Sequence, residues 1–251
     1  MNGEPRLSDF YRLLSHRVLD STNEEARRQA EKGAPEGTLI WAREQSAGRG
    51  RRGRSWTSVP GNLYMSILLR PQRQAGEAAQ LGFAAALAIG EAVTPHLHGK
   101  AALAYKWPND VLIDGCKTSG ILLESQAAGE GRLDWLVVGM GINLVSFPPA
   151  TEYPATSLAA FGAFPSVEAM LVAVAERFRF WYERWRAEGF SPLRVAWLAR
   201  ARGVGDTIRV RLHGEETSGV FAGLDDDGAL LLDTGTGRRR VAAGDVFPAG
   251  R

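Results

Sequence analysis

The chain has 251 residues, of which 45% are apolar and 23% are charged, and its formal net charge at pH 7 is +2. These values are typical of one large globular domain, or of one with a small domain attached, and exclude a chain too short to bury a core. The small net charge argues against a general nucleic-acid binder. The single cysteine, Cys116, excludes an internal disulfide bond.

The N-terminal ten residues carry charges and lack the apolar core of a signal peptide. The apolar stretch 81–93 is rich in alanine, is interrupted by Glu91 and is shorter than the ~18–20 residues that span a bilayer. It predicts a buried helix. These features, together with the lack of disulfides, predict a cytoplasmic protein that is not attached to a membrane.

The first half of the chain alternates between helical and extended patterns. Ser21 or Thr22 can cap the first helix, with a glutamate three residues later as its reciprocal partner. The predicted elements are a helix from this cap to Gly33, a strand at 38–43, a Gly/Arg-rich loop at 48–54, a strand at 62–70 and a helix at 77–94 that Pro95 stops.

Four further strands and two helices follow. Asp114-Gly115 is a strong hairpin signal between two of these strands. The predicted strands are 103–107, 111–113, 117–125 and 135–143, and the predicted helices are 167–188 and 192–200.

From Gly203 the sequence changes to short alternating segments at 207–212, 218–224, 229–232 and 238–241, separated by turns at Gly214, 227–228 and Gly235. This pattern predicts a small β-barrel. We therefore expect two domains, 1–202 and 203–251. The first is predicted to be α+β, with helices covering one face of a mixed sheet.

Several common functional motifs are missing. The sequence contains no G-x-x-x-x-G-K-[ST] phosphate loop, no strand–G-x-G-x-x-G–helix unit and no G-x-S-x-G elbow. Its four histidines and one cysteine lack metal-ligand spacing. These absences exclude the commonest nucleotide, hydrolase and zinc signatures.

The loop 48–54 carries four arginines within six residues, interleaved with glycine. Guanidinium groups bind phosphate or carboxylate in a bidentate manner, and glycine allows the backbone to approach a ligand closely. An empty loop of this kind would repel itself, and an anion would order it. A solvated loop or an RNA-binding segment is an equally good interpretation of these residues alone.

Three other segments place polar residues at the ends of strands or glycines inside them. They are 106–111, where Pro108 breaks a strand; 116–124, which begins with Cys116 and Lys117; and 137–144, which contains two glycines and Asn143. Each also has a simple structural interpretation, as a turn, a solvated lysine or a bulge.

Taken in order, six segments resemble the biotin protein ligases. They are DSTN at 20–23, Gln45 with GRGRRGRSW at 48–56, KWPNDV at 106–111, KTSGILLE at 117–124, GMGIN at 139–143 and ATSL at 155–158. The tail from Gly203 is similar to the small SH3-like C-terminal domain of that family. Each motif is short, but the ordered set is highly specific and covers nearly the whole chain.

The resemblance implies the family's ligase fold, with an SH3-like barrel after it, and a two-step reaction. Biotin and ATP, with Mg²⁺, form biotinyl-5′-AMP, and the biotin then passes to a lysine of a biotin carboxyl carrier protein or domain. In the family, the arginine loop closes over the ligand. The sequence contains no carboxylate cluster dedicated to magnesium, and we expect no resident metal.

The resemblance also implies residue roles. The catalytic residues would be Lys117, which bridges the acid and the α-phosphate, Arg51, and Asp110, which would orient the acceptor amine or accept its proton. Biotin would contact Ser21, Thr22, Asn23, Gln45, Gly48, Arg49, Gly50, Arg51, Lys117, Gly120 and Gly141. ATP would contact Arg49, Arg51, Arg54, Trp56, Lys106, Asn109, Asp110, Lys117 and Asn143. The resemblance leaves open which aromatic residue stacks on adenine, and Phe161 and Phe164 are the two candidates.

Some relatives carry an N-terminal helix-turn-helix and act as repressors. Only about 20 residues precede the first ligand motif here, so we expect no DNA binding. The chain is expected to be a monomer or a homodimer. Two alternatives stay open: a lipoate ligase or octanoyl transferase of the same fold, and an RNA-binding module that uses the arginine loop.

Overall fold

The computed structural model describes residues 5–97, 99, 101–129, 131–149, 151–212 and 215–248. A seven-stranded mixed sheet forms its centre, in the order β1-β2-β3-β7-β6-β5-β4. Only β1 and β2 pair in parallel, and each other neighbouring pair is antiparallel. The strands are β1 (Arg12–Leu19), β2 (Thr38–Gln45), β3 (Leu63–Leu69), β4 (Leu103–Lys106), β5 (Asp110–Ile113), β6 (Cys116–Ala127) and β7 (Leu133–Ile142).

Within the described ranges, five α-helices accompany this sheet, and they lie on both of its faces. They are α1 (Thr22–Glu31), α2 (Ala75–Ala78), α3 (Leu81–Val93), α4 (Val167–Glu188) and α5 (Ser191–Leu198). The main core joins α3, α4 and α5 to one face. On the opposite face, α1 buries Ala26 and Ala30 against Ile40, Leu68 and Val137. The prediction that helices cover a single face was therefore wrong, because α1 is amphipathic and buries its own small apolar stripe.

Helix α3 is buried on almost every side, as its composition, apolar except for Glu91, requires. The helical stretch Ala75–His96 is, in the described chain, the one segment long and apolar enough to span a membrane. However, 78% of its apolar window is buried inside the protein. This burial agrees with the prediction of a core helix.

Two predicted details of the helices differ. Ser21 is the N-cap residue of α1, but its side chain makes no capping hydrogen bond, so the predicted capping box does not form. The predicted helix 77–94 is two helices, because Gly82 and Phe83 donate to carbonyls three residues back instead of four.

A second sheet has the order β11-β10-β9-β8-β12. Its strands are β8 (Thr207–Arg211), β9 (Glu216–Leu224), β10 (Leu230–Thr234), β11 (Gly237–Val241) and β12 (Asp245–Pro248). Trp107, between β4 and β5, donates from Nε1 to the carbonyl oxygen of Gly228, at 3.1 Å, and so ties the two sheets together. The turn predicted at Gly214 lies outside the described residues.

Candidate active site

A cavity of about 510 Å³ lies on the α1 face of the main sheet and extends to the second sheet. Such a volume suits a small organic ligand with a nucleotide part. The predicted site residues line this cavity, except Gly48 and the two phenylalanines suggested for adenine, Phe161 and Phe164. Gly48 is buried behind the loop instead, where a Cβ would lie 2.5 Å from the Trp56 carbonyl oxygen. Its contact with a ligand stays a prediction, and in the structure the missing side chain lets the Trp56 carbonyl oxygen and Ser58 Oγ approach its backbone closely.

The side chain of Lys117 reaches the cavity because of a β-bulge. Asp110 pairs with Gly120, but the register between β5 and β6 then shifts, so that Leu112 pairs with Lys117. Strand residues two apart share a face, so this shift places Lys117 on the same face as Asp110. Without the extra residue in β6, Lys117 would point into the core on the other side.

Two lysines converge on the carboxylate of Asp110, whose side chain is only 8% exposed. Nζ of Lys117 lies 2.5 Å from Oδ1, and Nζ of Lys106 lies 3.0 Å from Oδ2. Burial by itself would raise the pKa of Asp110, but the two ammonium charges and their contacts outweigh burial and lower that pKa below its ordinary value. The carboxylate is therefore firmly ionised.

The arginine loop, residues 48–54, is held by carboxylates of four other segments, of which Glu152 makes the longest contact, 3.8 Å from Arg54. Arg49 lies 2.7 Å from Oε2 of Glu24 in α1 and 3.3 Å from Oε1 of Glu124 in β6. Arg54 lies 2.8 Å from Oδ2 of Asp245 in β12. These carboxylates offset the self-repulsion that the sequence predicted for an empty loop.

Arg51 is the most enclosed guanidinium of the loop that faces the cavity. Its Nη1 donates to Oδ1 of Asn109 and to the carbonyl oxygen of Gly244, each at 3.3 Å. Burial lowers the pKa of Arg51, although an arginine stays charged at neutral pH. A fixed positive charge with little water around it interacts strongly with an entering anion.

Uncharged polar side chains line another part of the cavity, beside α1. Gln45 accepts from the backbone NH of Thr22 at 2.7 Å and from its hydroxyl at 3.1 Å. Asn23 donates to Oε2 of Glu124 at 2.7 Å. The buried hydroxyl of Ser66 lies 2.7 Å from Thr22 Oγ1 and 2.6 Å from Asn23 Oδ1. This network fixes donors and acceptors that can recognise a neutral polar head group.

Two glycines of β7 leave space above the sheet, because they carry no side chain that would fill the cavity. A Cβ at Gly139 would collide with Oδ1 of Asn23, and one at Gly141 would lie 2.6 Å from Nε1 of Trp56. The indole of Trp56 therefore lies directly on the sheet, 5.5 Å from Nζ of Lys117. Its Nε1 is buried against the sheet and has no hydrogen-bond partner among the described residues.

The aromatic residues suggested for adenine do not lie in the cavity. Phe161 packs against the core, and Phe164 is 72% exposed. The aromatic rings that line the cavity within the described chain are Trp56, Tyr153 and Phe247. The Tyr153 ring centroid is 4.5 Å from Nζ of Lys106. Phe161 and Phe164 were thus wrong as stacking residues.

Sequence reasoning missed four residues that shape the site: Ser66, Glu124, Tyr153 and Asp245. Ser66 could have been found as a polar residue within the apolar strand LYMSILL. Asp245 and Tyr153 gave no signal, because they lie outside the recognised segments and reach the cavity through long-range packing.

Comparison with known proteins finds two family models that match this chain. The model described as the biotin/lipoate A/B protein ligase family matches residues 15–143. The model described as the biotin protein ligase C terminal domain matches residues 204–247. Together these matches cover most of both sheets.

Individual relatives agree with the family models. The chain is 43% identical to a biotin–[acetyl-CoA-carboxylase] ligase of Paracoccus denitrificans, over 92% of this chain and 98% of the relative. It is 37% identical to the bifunctional ligase/repressor BirA of Bacillus subtilis, over 93% of this chain and 73% of the relative. A biotin protein ligase from Aquifex aeolicus in complex with biotin and ATP superposes with a TM-score of 0.79 at 28% identity, covering 95% and 98% of the two chains. The chain therefore belongs to the biotin/lipoate A/B protein ligase family and, within it, to the biotin protein ligases.

Proposed function

We propose that this protein uses ATP to convert biotin into biotinyl-5′-AMP and then transfers the biotin to a lysine of a biotin carboxyl carrier protein. The observation that carries the proposal is the convergence of Lys117, Arg51 and Arg54 on one cavity that also contains an uncharged polar pocket. The family relationship and the name of the Paracoccus relative support the same substrates.

In the first step, two anions must meet. A carboxylate oxygen of biotin forms a bond to the α-phosphorus of ATP, and the bond from that phosphorus to the bridging oxygen breaks, so that pyrophosphate leaves. Lys117 and Arg51 stabilise the negative charge that develops, which is usually the largest catalytic contribution. Lys117 would exchange part of its contact with Asp110 for the incoming oxygens.

In the second step, the deprotonated lysine amine of the carrier attacks the carbonyl carbon of the mixed anhydride, and AMP leaves. The lowered pKa of Asp110 makes it a poor proton acceptor while it holds two lysines. We therefore assign Asp110 to orienting the charged groups, and not to general base catalysis.

The binding roles follow the position of each side chain. We assign the ureido head of biotin to Ser21, Thr22, Asn23 and Gln45, and its carboxylate to the Gly50 end of the arginine loop with Lys117. Gly120 and Gly141 leave room for its ring and tail. The nucleotide is assigned to Arg51, Arg54, Trp56, Lys106, Asn109 and Asn143. Arg49 acts through its backbone, because its guanidinium is already paired with Glu24 and Glu124.

Magnesium would arrive with the nucleotide. The described residues hold no group of three or more His, Cys, Asp or Glu side chains that could bind a metal ion. Two cavity carboxylates, Asp110 and Asp245, are paired with lysines and arginines respectively. Mg²⁺ commonly keeps several waters and is held largely by substrate phosphates, which fits this arrangement.

The remaining assignments also stay proposals. The division into a catalytic domain, 1–202, and a C-terminal domain, 203–251, is supported by the confinement of the second sheet to Thr207–Pro248. A cytoplasmic location, the lack of DNA and membrane binding, and a monomeric or dimeric state are predictions from the sequence.

The decisive experiment incubates the protein with ATP, labelled biotin and a purified biotin carboxyl carrier domain. We expect label on the carrier that depends on ATP and on the acceptor lysine. Parallel reactions contain lipoate or octanoate, and a filter assay measures RNA binding. Transfer of lipoate without transfer of biotin would overturn the proposal, as would salt-sensitive RNA binding without any ligase activity.

A further inference from the structure

The second sheet provides a single carboxylate, Asp245, that contacts several arginines of the loop. Its Oδ2 lies 3.0 Å from Nη1 of Arg52 and 2.8 Å from Nη2 of Arg54, and its Oδ1 lies 4.0 Å from Nη1 of Arg51. The Asp245 side chain is only 15% exposed. It is also carried by a strand, β12, whose Asp245 pairs with Arg211 of β8. An enclosed carboxylate on a paired strand can form charge-assisted hydrogen bonds with a basic loop.

Arg52 differs from the other arginines of the loop. The loop residues that line the cavity, among those described, are Arg49, Gly50, Arg51 and Arg54, so Arg52 is not one of them. Its backbone adopts the left-handed conformation, with φ 56° and ψ 36°. A residue with a Cβ seldom adopts this conformation unless its surroundings stabilise it. The side chain of Arg52 lies 3.0 Å from Oδ2 of Asp245.

We propose that Asp245 and Arg52 form an anchor pair, in which Asp245 positions the arginine loop so that Arg51 and Arg54 face the nucleotide. This inference rests on the proposed function for its ligand. When a phosphate draws Arg54 away, Asp245 keeps its contact with Arg52, and the loop stays in place. Without the pair, part of the free energy of nucleotide binding would be used to order the loop, and the affinity for the nucleotide would fall.

The first test measures the loop directly, without any activity. Backbone bonds inside the loop join the Gly50 NH to the Arg54 carbonyl oxygen at 2.7 Å and the Trp56 NH to the Gly48 carbonyl oxygen at 2.8 Å. In hydrogen–deuterium exchange of the unliganded protein, we expect Asp245→Asn and Arg52→Gln each to speed exchange of this segment about tenfold. Asp233→Asn is the matched control, because Asp233 pairs with Arg238 in the same sheet. In Asp233→Asn, the backbone amides of the loop should exchange at the parental rate.

The second test separates positioning from chemistry. We expect both variants to raise KM for ATP about tenfold while kcat for adenylate formation changes less than about twofold. The double variant should be no worse than Asp245→Asn alone, since Arg52→Gln removes a contact that Asp245→Asn has already removed. The proposed pair would be overturned if the loop amides of Asp245→Asn exchanged hydrogen for deuterium at the parental rate. It would also be overturned if kcat fell while KM for ATP stayed unchanged.

The outcomes also separate this inference from the proposed function. If the parent does not biotinylate a carrier domain, the exchange measurement still decides whether Asp245 holds the loop. If Asp245→Asn fails to fold, Arg52→Gln decides alone: unchanged exchange of the loop in that variant would overturn the pair.

Discussion

Nζ of Lys117 lies 2.5 Å from Oδ1 of Asp110, on a face of the sheet that Lys117 reaches only through the bulge between β5 and β6. Asp110 also holds Lys106, so one buried carboxylate keeps two ammonium groups side by side. Their mutual repulsion is offset by this carboxylate before any ligand arrives. An anionic ligand therefore meets charges that are already positioned, which is the condition for strong electrostatic stabilisation of a transition state.

Replacement of Lys117 by alanine should nearly abolish adenylate formation, because the charge closest to Asp110 and to the proposed site of bond formation is lost. We expect kcat to fall by about 10²–10³, a loss typical of one key electrostatic group. Biotin-dependent exchange of labelled pyrophosphate into ATP measures this step. Lys32→Ala, at the exposed end of α1, is the control. A near-parental rate of pyrophosphate exchange in Lys117→Ala would contradict the catalytic role assigned to Lys117.

Replacement of Asp110 by asparagine should destabilise the protein, because it leaves two adjacent lysines without their common partner. Breaking a buried ion pair costs about 3–5 kcal/mol, and we expect the lower end of this range because Lys117 is partly exposed. Urea unfolding measures the free energy of unfolding. Asp134→Asn, which breaks an exposed pair with Arg70, should cost less than about 1 kcal/mol. Equal losses of unfolding free energy in Asp110→Asn and Asp134→Asn would contradict the stabilising role assigned to Asp110.

The stabilisation by Asp110 should depend on pH in a defined direction. Its pKa in the folded protein is lowered, so its contribution is present above the unfolded value of about 3.9 and is lost as pH falls below that value. The difference in unfolding free energy between the parent and Asp110→Asn should be constant from about pH 5 to 7 and shrink below about pH 4. A difference that already shrinks between pH 7 and 5 would show a raised pKa instead.

Replacement of Ser66 by alanine should weaken biotin binding. The hydroxyl lies between Thr22 Oγ1 and Asn23 Oδ1, and its removal leaves a buried acceptor without its donor. Such a loss costs about 1–3 kcal/mol, or roughly a five- to hundredfold rise in Kd. Isothermal titration with biotin measures this change. Ser125→Ala, at an exposed position of β6, should bind like the parent, and unchanged affinity in Ser66→Ala would exclude Ser66 from the pocket.

Replacement of Gly139 by alanine should also reduce biotin affinity, for a steric reason. The added methyl group would collide with the Asn23 side chain, which would have to leave both Ser66 and Glu124. We expect Kd to rise about tenfold or more, as for the loss of a buried hydrogen bond. Gly129→Ala is the control, since a Cβ there meets no atom within 4 Å. Equal effects of the two substitutions on Kd would argue against a tight floor at Gly139.

The sequence by itself determined the local elements and the family. Alternating and helical apolar patterns predicted most strands and helices, and α4 begins and ends where they indicated, at Val167 and Glu188. The Asp114-Gly115 turn was readable because positive φ at both residues suits this pair, and the structure has φ 48° and 77° there. Strand β1, RLLSHRVL, was missed because charged residues break its alternation and parallel pairing with β2 holds it.

Only the tertiary structure decided how the site is assembled. The motifs indicated which residues matter, but a bulge sets the face on which Lys117 lies, and a distant strand supplies the Asp245 that contacts the arginine loop. Neither relationship leaves a local pattern, because strand register and domain packing depend on pairings between segments far apart in the chain. Periodicity reports which side of an element is apolar, whereas the site depends on which elements meet.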